Sequence, residues 1–118
     1  MPAIGFVAPL LPGKTDADRE AMAACWKGER NAAYEDSRRR AGITRETTWL
    51  QTTPMGDVAV VVLEADDIGT AMGALATSTE PFDVWFRDHV QQVHGISLAE
   101  GFPPPELILD YQADSAGR

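Results

Sequence analysis

The sequence predicts an α+β domain in the order strand, helix, strand, strand, helix, strand, and three observations carry that expectation. Phe82, Trp85, Phe86, His89, Val90 and Val93 recur three and four residues apart, the spacing that places side chains on one face of an α-helix. Pro54-Met55-Gly56-Asp57 separates two β-prone runs, Thr44–Thr53 and Val58–Glu64, which is hairpin chemistry. Val58 to Leu63 is apolar at both parities, whereas a strand with one wet face alternates.

Taken in order, Ala3 to Leu10 is an apolar run bounded by Pro9, Pro12 and Gly13, as for a strand entering a turn. Thr15 caps a long helix, Asp16 and Asp18 sit at its positive end, and Gly42 stops it after Ala41. Its inward stripe is expected to be Met22, Cys25, Trp26, Glu29 or Arg30, Ala33 and Ser37, with Gly28 a site for a bend. After the hairpin, Asp66 and Asp67 cap a short helix from Ile68 to Ala76. Ser78 or Thr79 caps the aromatic helix, Pro81 suits its first turn, and Gly95 supplies its left-handed stop beside His94. Whatever the protein buries is expected to pack against this helix. Gly101 to Pro105 reads as an extended connector and Glu106–Tyr111 as a last strand, while Gln112–Arg118 has little to bury.

The result is one domain over residues 1–118, with a core from about 3 to 111. Its order is that of ferredoxin-like βαββαβ folds: a four-stranded antiparallel sheet with the helices on one face. Helices on one face leave the other uncovered, and a strand apolar on both sides needs both covered. The simplest second cover is a copy of the chain, and ~800 Å² buried per subunit makes such a homodimer stable.

A formal charge of −8 repels nucleic acid and anionic membranes, so neither is an expected partner. Arg38-Arg39-Arg40, the basic cluster, falls at a helix end where it complements the dipole. The lone Cys25 forms no internal disulfide and suits a reducing cytoplasm; no signal peptide or membrane-spanning run is visible. Nothing in the spacing of cysteines, histidines and carboxylates makes a metal motif, and no glycine-rich nucleotide loop is present, so no cofactor is expected.

Arg-Ala-Gly-Ile-Thr-Arg-Glu (40–46), Leu-Glu-Ala-Asp-Asp (63–67), Pro-Phe-Asp-Val-Trp-Phe (81–86), His-Gly-Ile (94–96) and Pro-Pro-Pro-Glu-Leu (103–107) together carry a resemblance. With them the chain, from Ile4 to Asp110, resembles an uncharacterised bacterial family of dimeric α+β-barrel proteins. The resemblance implies ferredoxin-like subunits packed sheet to sheet. The wider superfamily includes cofactor-free antibiotic-biosynthesis monooxygenases, EthD-like proteins, polyketide cyclases and haem-degrading enzymes, and a shared fold does not choose among these activities.

His89 is the candidate catalytic residue. It stands on the apolar helix face, where a histidine titrating near pH ~6.5 can act as general acid or base; the plainer alternative is a core-edge histidine satisfied by a carbonyl or carboxylate. His94 lies about 140° around the helix from it and is expected to pack at the helix end. Trp26, Arg30, Tyr34, Trp85 and Phe86 are candidate lining for an apolar pocket, although aromatic groups of this size more often make core. Cys25 is expected to be a buried, inert thiol.

Two functions remain open. One is a small-molecule-binding protein, cyclase-like or cofactor-free monooxygenase-like, acting on an apolar or aromatic metabolite. The other is a non-catalytic ligand-sensing or protein-interaction dimer with a filled core. A cavity beside His89 on the order of 300 Å³ would separate them.

Overall fold

The computed structural model describes residues 2–101 and 103–113; Met1, Phe102 of the connector, and residues 114–118 of the tail lie outside the described residues. The elements are β1 (Ala3–Pro9), α1 (Thr15–Lys27), α2 (Asn31–Ala41), β2 (Ile43–Thr53), β3 (Gly56–Ala65), α3 (Ile68–Thr77) and α4 (Pro81–His94). The chain is α+β. Strand β3 is central and antiparallel to both neighbours, in the order β1-β3-β2.

Alternation along the strands gives the sheet two faces. Phe6, Thr48 and Val61 stand in one row, and with Ala8, Ala59 and Leu63 they border an interior space also lined by all four helices. Val7, Trp49 and Val60 form the adjacent row on the opposite face, which also carries Val58 and Val62. Val7 is 56% exposed there and Trp49 54%. The doubly apolar strand therefore has one parity covered by helices and the other open.

The long helix expected from Thr15 to Ala41 is two helices. Gly28 is extended, at φ −117° and ψ −154°, and a Cβ there would lie 2.8 Å from the Ala24 Cα, so the tight fold-back requires glycine. Asn31 donates its side-chain amide to the carbonyls of Cys25 and Trp26 at 3.0 and 2.9 Å. Those acceptors have no partner inside α1, and supplying one outside turns a bend into a break. Gly42 and Gly95 end α2 and α4 in the left-handed conformation, as their positions predict.

The buried hydrophobic cluster contains no residue of the aromatic helix. Ala41, Ile43, Leu63, Ala65, Ala71 and Leu75 form a fully buried aliphatic cluster where α2, α3 and β3 meet. Small side chains let the backbones approach closely, and each buried CH₂ contributes about 0.8 kcal/mol. Helix α4 buries Phe82, Asp83, His89 and Val93, while Trp85 and Phe86 remain half-buried.

Glu106–Tyr111, expected as the fourth strand, pairs with no strand among the described residues. Leu107, Ile108, Leu109 and Tyr111 are between 77% and 86% exposed. The reason lies upstream. Leu11 N–H donates to the Val93 carbonyl (2.8 Å) and His94 Nδ1 donates to the Pro9 carbonyl (2.9 Å), fastening the end of α4 to the C-terminal end of β1. The chain then passes back beside β1, so that Leu98, Gly101 and Pro104 border a groove with Ile4 near that strand's beginning.

Candidate functional site

Asp18, Met22 and Cys25 lie four and three residues apart on α1, which sets them on one inward stripe. Across from them α4 presents His89, one turn before the buried Val93. His89 Nε2 lies 2.8 Å from Asp18 Oδ1, and both side chains are only 9% exposed. The imidazole is stacked on Trp85, with centroids 5.5 Å and planes 16° apart, so its orientation is fixed by a ring on one side and a carboxylate at one nitrogen.

This pair borders a cavity of about 70 Å³ beneath the sheet. Phe6, Val61 and Leu63 form its floor, Met22, Met72 and Phe86 much of its walls, and Asp18, His89, Arg38 and Glu46 its charged lining. A second, more open groove of about 380 Å³ lies between α3 and the chain after α4. Met72 and Leu98 border both spaces and form the wall between them.

Arg38 and Glu46 make the second charged pair. Arg38 Nε donates to Glu46 Oε1 at 2.7 Å, and Tyr34 donates its hydroxyl to the same oxygen at 2.6 Å. The guanidinium also lies 4.4 Å above the Phe86 ring. Burial and the Glu46 carboxylate push the Tyr34 phenol far above its ordinary range, so it is a fixed donor. For Arg38 burial opposes charge, but Glu46 overcomes it and the guanidinium stays protonated. Burial raises the Cys25 thiol, which leaves it little thiolate for nucleophilic chemistry.

From Arg38 the polar chain continues away from the cavity. Arg38 Nη1 donates to Ser37 Oγ at 3.0 Å, and Ser37 donates to Asp83 at 2.5 Å. Asp83 also accepts from Ser78 at 2.5 Å and from Arg40 Nη1 at 2.8 Å. Burial pushes the Asp83 carboxyl up, but these three donors outweigh it and hold it below the usual carboxylate range.

Of the residues singled out in the sequence, His89 and Phe86 border the cavity. Tyr34 stands behind Glu46 rather than on the lining. Trp85 backs His89 on one side and carries Arg30 over its ring at 3.8 Å, and neither lines the cavity. Trp26 is 72% exposed, with the Lys27 ammonium 4.4 Å over its ring. The break at Gly28 takes Arg30 off the α1 stripe, whereas Trp26, still within α1, stands one residue round from buried Cys25 and faces outward. A stripe extrapolated through one continuous helix joins them to Ser37, whereas the actual inward stripe of α1 is Asp18, Met22 and Cys25.

Asp18, Arg38 and Glu46 were not singled out as site residues by sequence reasoning. Asp18 reads equally well as a helix-dipole charge and Arg38 as its C-terminal counterpart. The available signal was the four-residue step from Asp18 to Met22, which puts a carboxylate on the apolar stripe.

A buried histidine held by a carboxylate and facing an apolar space can accept or donate a proton with little competition from water. The cavity has room for a few water molecules or a very small ligand; molecules of metabolite size occupy about 300 Å³ or more. Among the described residues no three His, Cys, Asp and Glu side chains converge as a metal site requires, and no helix is long and apolar enough to cross a membrane. In comparisons with family models, with curated proteins and with solved structures, nothing matches this chain.

Proposed function

We propose that the protein binds a small apolar or aromatic molecule between its helices and sheet and transfers a proton on it through His89 and Asp18, as a cyclase-like enzyme does. The observation that carries this reading is the mutually bonded, 9%-exposed His89–Asp18 pair on the wall of an otherwise largely apolar cavity. Asp18 orients the ring and stabilises an imidazolium, and the Nδ1 edge exchanges the proton. The ligand enters from the outer groove by displacing Met72 and Leu98, whose flexible side chains separate a space too small for it from one of suitable size.

On this reading the subunit is a ferredoxin-like domain working as a homodimer, joined through the open sheet face in a dimeric α+β barrel. Val7, Trp49, Val58, Val60 and Val62 supply its apolar surface. The only strand charges of that parity, Arg45 and Glu64, are opposite one another and cancel, so two chains of net charge −8 meet there without local repulsion. The buried lone thiol of Cys25 fits a cytoplasmic setting.

A thermal-shift screen with aromatic and polyketide-like compounds tests the binding, since a ligand at 100 times its Kd adds about 2.7 kcal/mol to stability. His89→Gln should then lose turnover while keeping its melting temperature within a few degrees. A variant that melts early but binds and turns over in proportion to its folded fraction would return His89 to the core. For the dimer, Val60→Asp should dissociate it, and a wild-type chain that sediments as a monomer at micromolar concentration removes it.

The second reading is a non-catalytic dimer with a filled interior, and the 70 Å³ volume favours it. Enlarging the cavity separates the two. Met72→Ala should increase ligand affinity if the groove is the entrance, and should change only stability if the interior never opens.

A further inference from the structure

We propose that residues 106–111 cross to a second copy of this chain and add a strand to the free edge of its β2. The inference rests on the homodimer reading above. It starts from a segment that contradicts its own composition. Glu-Leu-Ile-Leu-Asp-Tyr has the aliphatic and aromatic character of a strand, yet Leu107, Ile108 and Leu109 are 77%, 86% and 81% exposed in the subunit. Exposed apolar runs of this kind mark a surface that another chain covers.

The segment is poorly placed to return to its own sheet. The end of α4 is fastened at the C-terminal end of β1, and the chain has travelled back to Ile4 by Pro104. An antiparallel strand beside β1 would have to begin where α4 ends, not at residue 106. Pro103, Pro104 and Pro105 donate no backbone hydrogen bonds and favour an extended course, which carries the following residues onward.

The receiving edge is β2. Among the described residues its stretch from Arg45 to Thr53 pairs in the sheet with β3 alone, and that stretch is longer than the incoming segment. An unpaired strand edge presents a row of N–H and C=O groups ready for another strand. Exposed Arg45 on β2 gives Glu106 or Asp110 a cation to meet, in competition with Glu64 opposite it. Over most of an acidic surface those two carboxylates would be repelled.

The reach is sufficient. The crossing falls to Pro103–Pro105, which span about 9 Å to Glu106 when extended, enough for a β2 that lies directly across the interface. Two sheets packed face to face lie about 10 Å apart, and a three-stranded sheet is about 10 Å wide between its outer strands. Each subunit gives one segment and receives one, which is the reciprocal contact a two-fold dimer demands.

The test uses the full-length chain and a Leu107→Asp/Leu109→Asp variant, compared by sedimentation velocity and by hydrogen exchange of the 106–111 amides. The wild-type dimer should show those amides slowed at least tenfold, and dilution to monomer should release them. The variant should dimerise at least a hundredfold more weakly with an unchanged circular dichroism spectrum, because both side chains stand exposed in their own subunit. Arg45→Glu should weaken protection of the same amides. A wild-type monomer at micromolar concentration overturns the dimer and the strand exchange together. A dimer unaffected by the double variant, amides left unprotected in the dimer, or amides protected in the monomer each overturn the exchange alone. Ile108→Asp repeats the measurement at the other parity, so a folding failure of the first variant does not decide the matter.

Discussion

Asp18 and Asp83 are 6% and 3% exposed, and both carboxylates face a basic or hydroxyl partner from a different helix. They differ in how completely they are satisfied. Asp83 accepts from Ser37, Ser78 and Arg40, joins α2 to α4, and borders neither the cavity nor the groove. Asp18 holds the edge of one imidazole, and the pair borders the cavity. A carboxylate saturated by three donors is fixed in charge and geometry, so it can fasten helices but cannot exchange a proton. One whose partner is itself titratable, beside empty space, can. Burial alone does not separate structure from chemistry; the number and kind of partners does.

The largest expected effect follows from removing the saturated group. Asp83→Ala leaves Ser37, itself 1% exposed, without its acceptor, and Arg40 with Asp36 alone. Leaving a buried hydroxyl unsatisfied and removing two further donors' shared acceptor costs about 2–3 kcal/mol, read as a lowered urea midpoint at unchanged m-value. If Asp83→Ala unfolds at the wild-type midpoint, the cluster does not join α2 to α4 as described.

The next effect is visible only in acid. The folded-state pKa of Asp83 is depressed, so its contribution is present in full above the unfolded value near ~3.9 and is lost as pH falls through the folded pKa. Wild type minus Asp83→Asn, measured as a difference in urea midpoint, should therefore be constant from neutral pH to about pH 4 and shrink below it. A difference that grows on acidification would give the Asp83 shift the opposite sign.

Ser37→Ala should cost less, about 1.5 kcal/mol, because Asp83 keeps Ser78 and Arg40 while Arg38 keeps Glu46. Ser37 is the hydroxyl through which the cavity pair Arg38–Glu46 touches the structural cluster. A double-mutant cycle with Arg38→Met measures that link, and strict additivity would mean the two clusters are energetically separate.

How much of this contrast the sequence discloses depends on contact range. The hairpin at Pro54–Asp57, the stops at Gly42 and Gly95 and the α3 cap at Asp67 are local, and each is legible because its partners lie within a few residues. The break at Gly28 is half legible: glycine marks the place, but only the Asn31 amide reaching back to Cys25 and Trp26 shows that the helix ends. The Asp18–His89 contact joins residues 71 apart; the step from Asp18 to Met22 sets Asp18 apart from Asp16, which remains exposed, but does not name its partner. Asp83 is hidden similarly, since at the first turn of a helix it already has a sufficient local explanation. The strand composition of 106–111 is legible, but pairing depends on where the chain stands when it arrives.

The smallest expected change in stability is the most informative about chemistry. Asp18→Asn preserves shape, and the amide oxygen can still accept from the imidazole, so the loss should stay near ~1 kcal/mol, well below that for Asp83→Ala. What disappears is the carboxyl group that faces the ring nitrogen. If the pair transfers protons, turnover of a ligand found by thermal shift should fall at least ~100-fold, the typical contribution of a positioned acid–base group. Binding of an uncharged ligand should change little, because the substituted amide and His89 would still line the same space. Loss of stability comparable to Asp83→Ala, with turnover falling only in proportion to the folded fraction, would place Asp18 with Asp83 as a fastening for helices and remove the contrast between them.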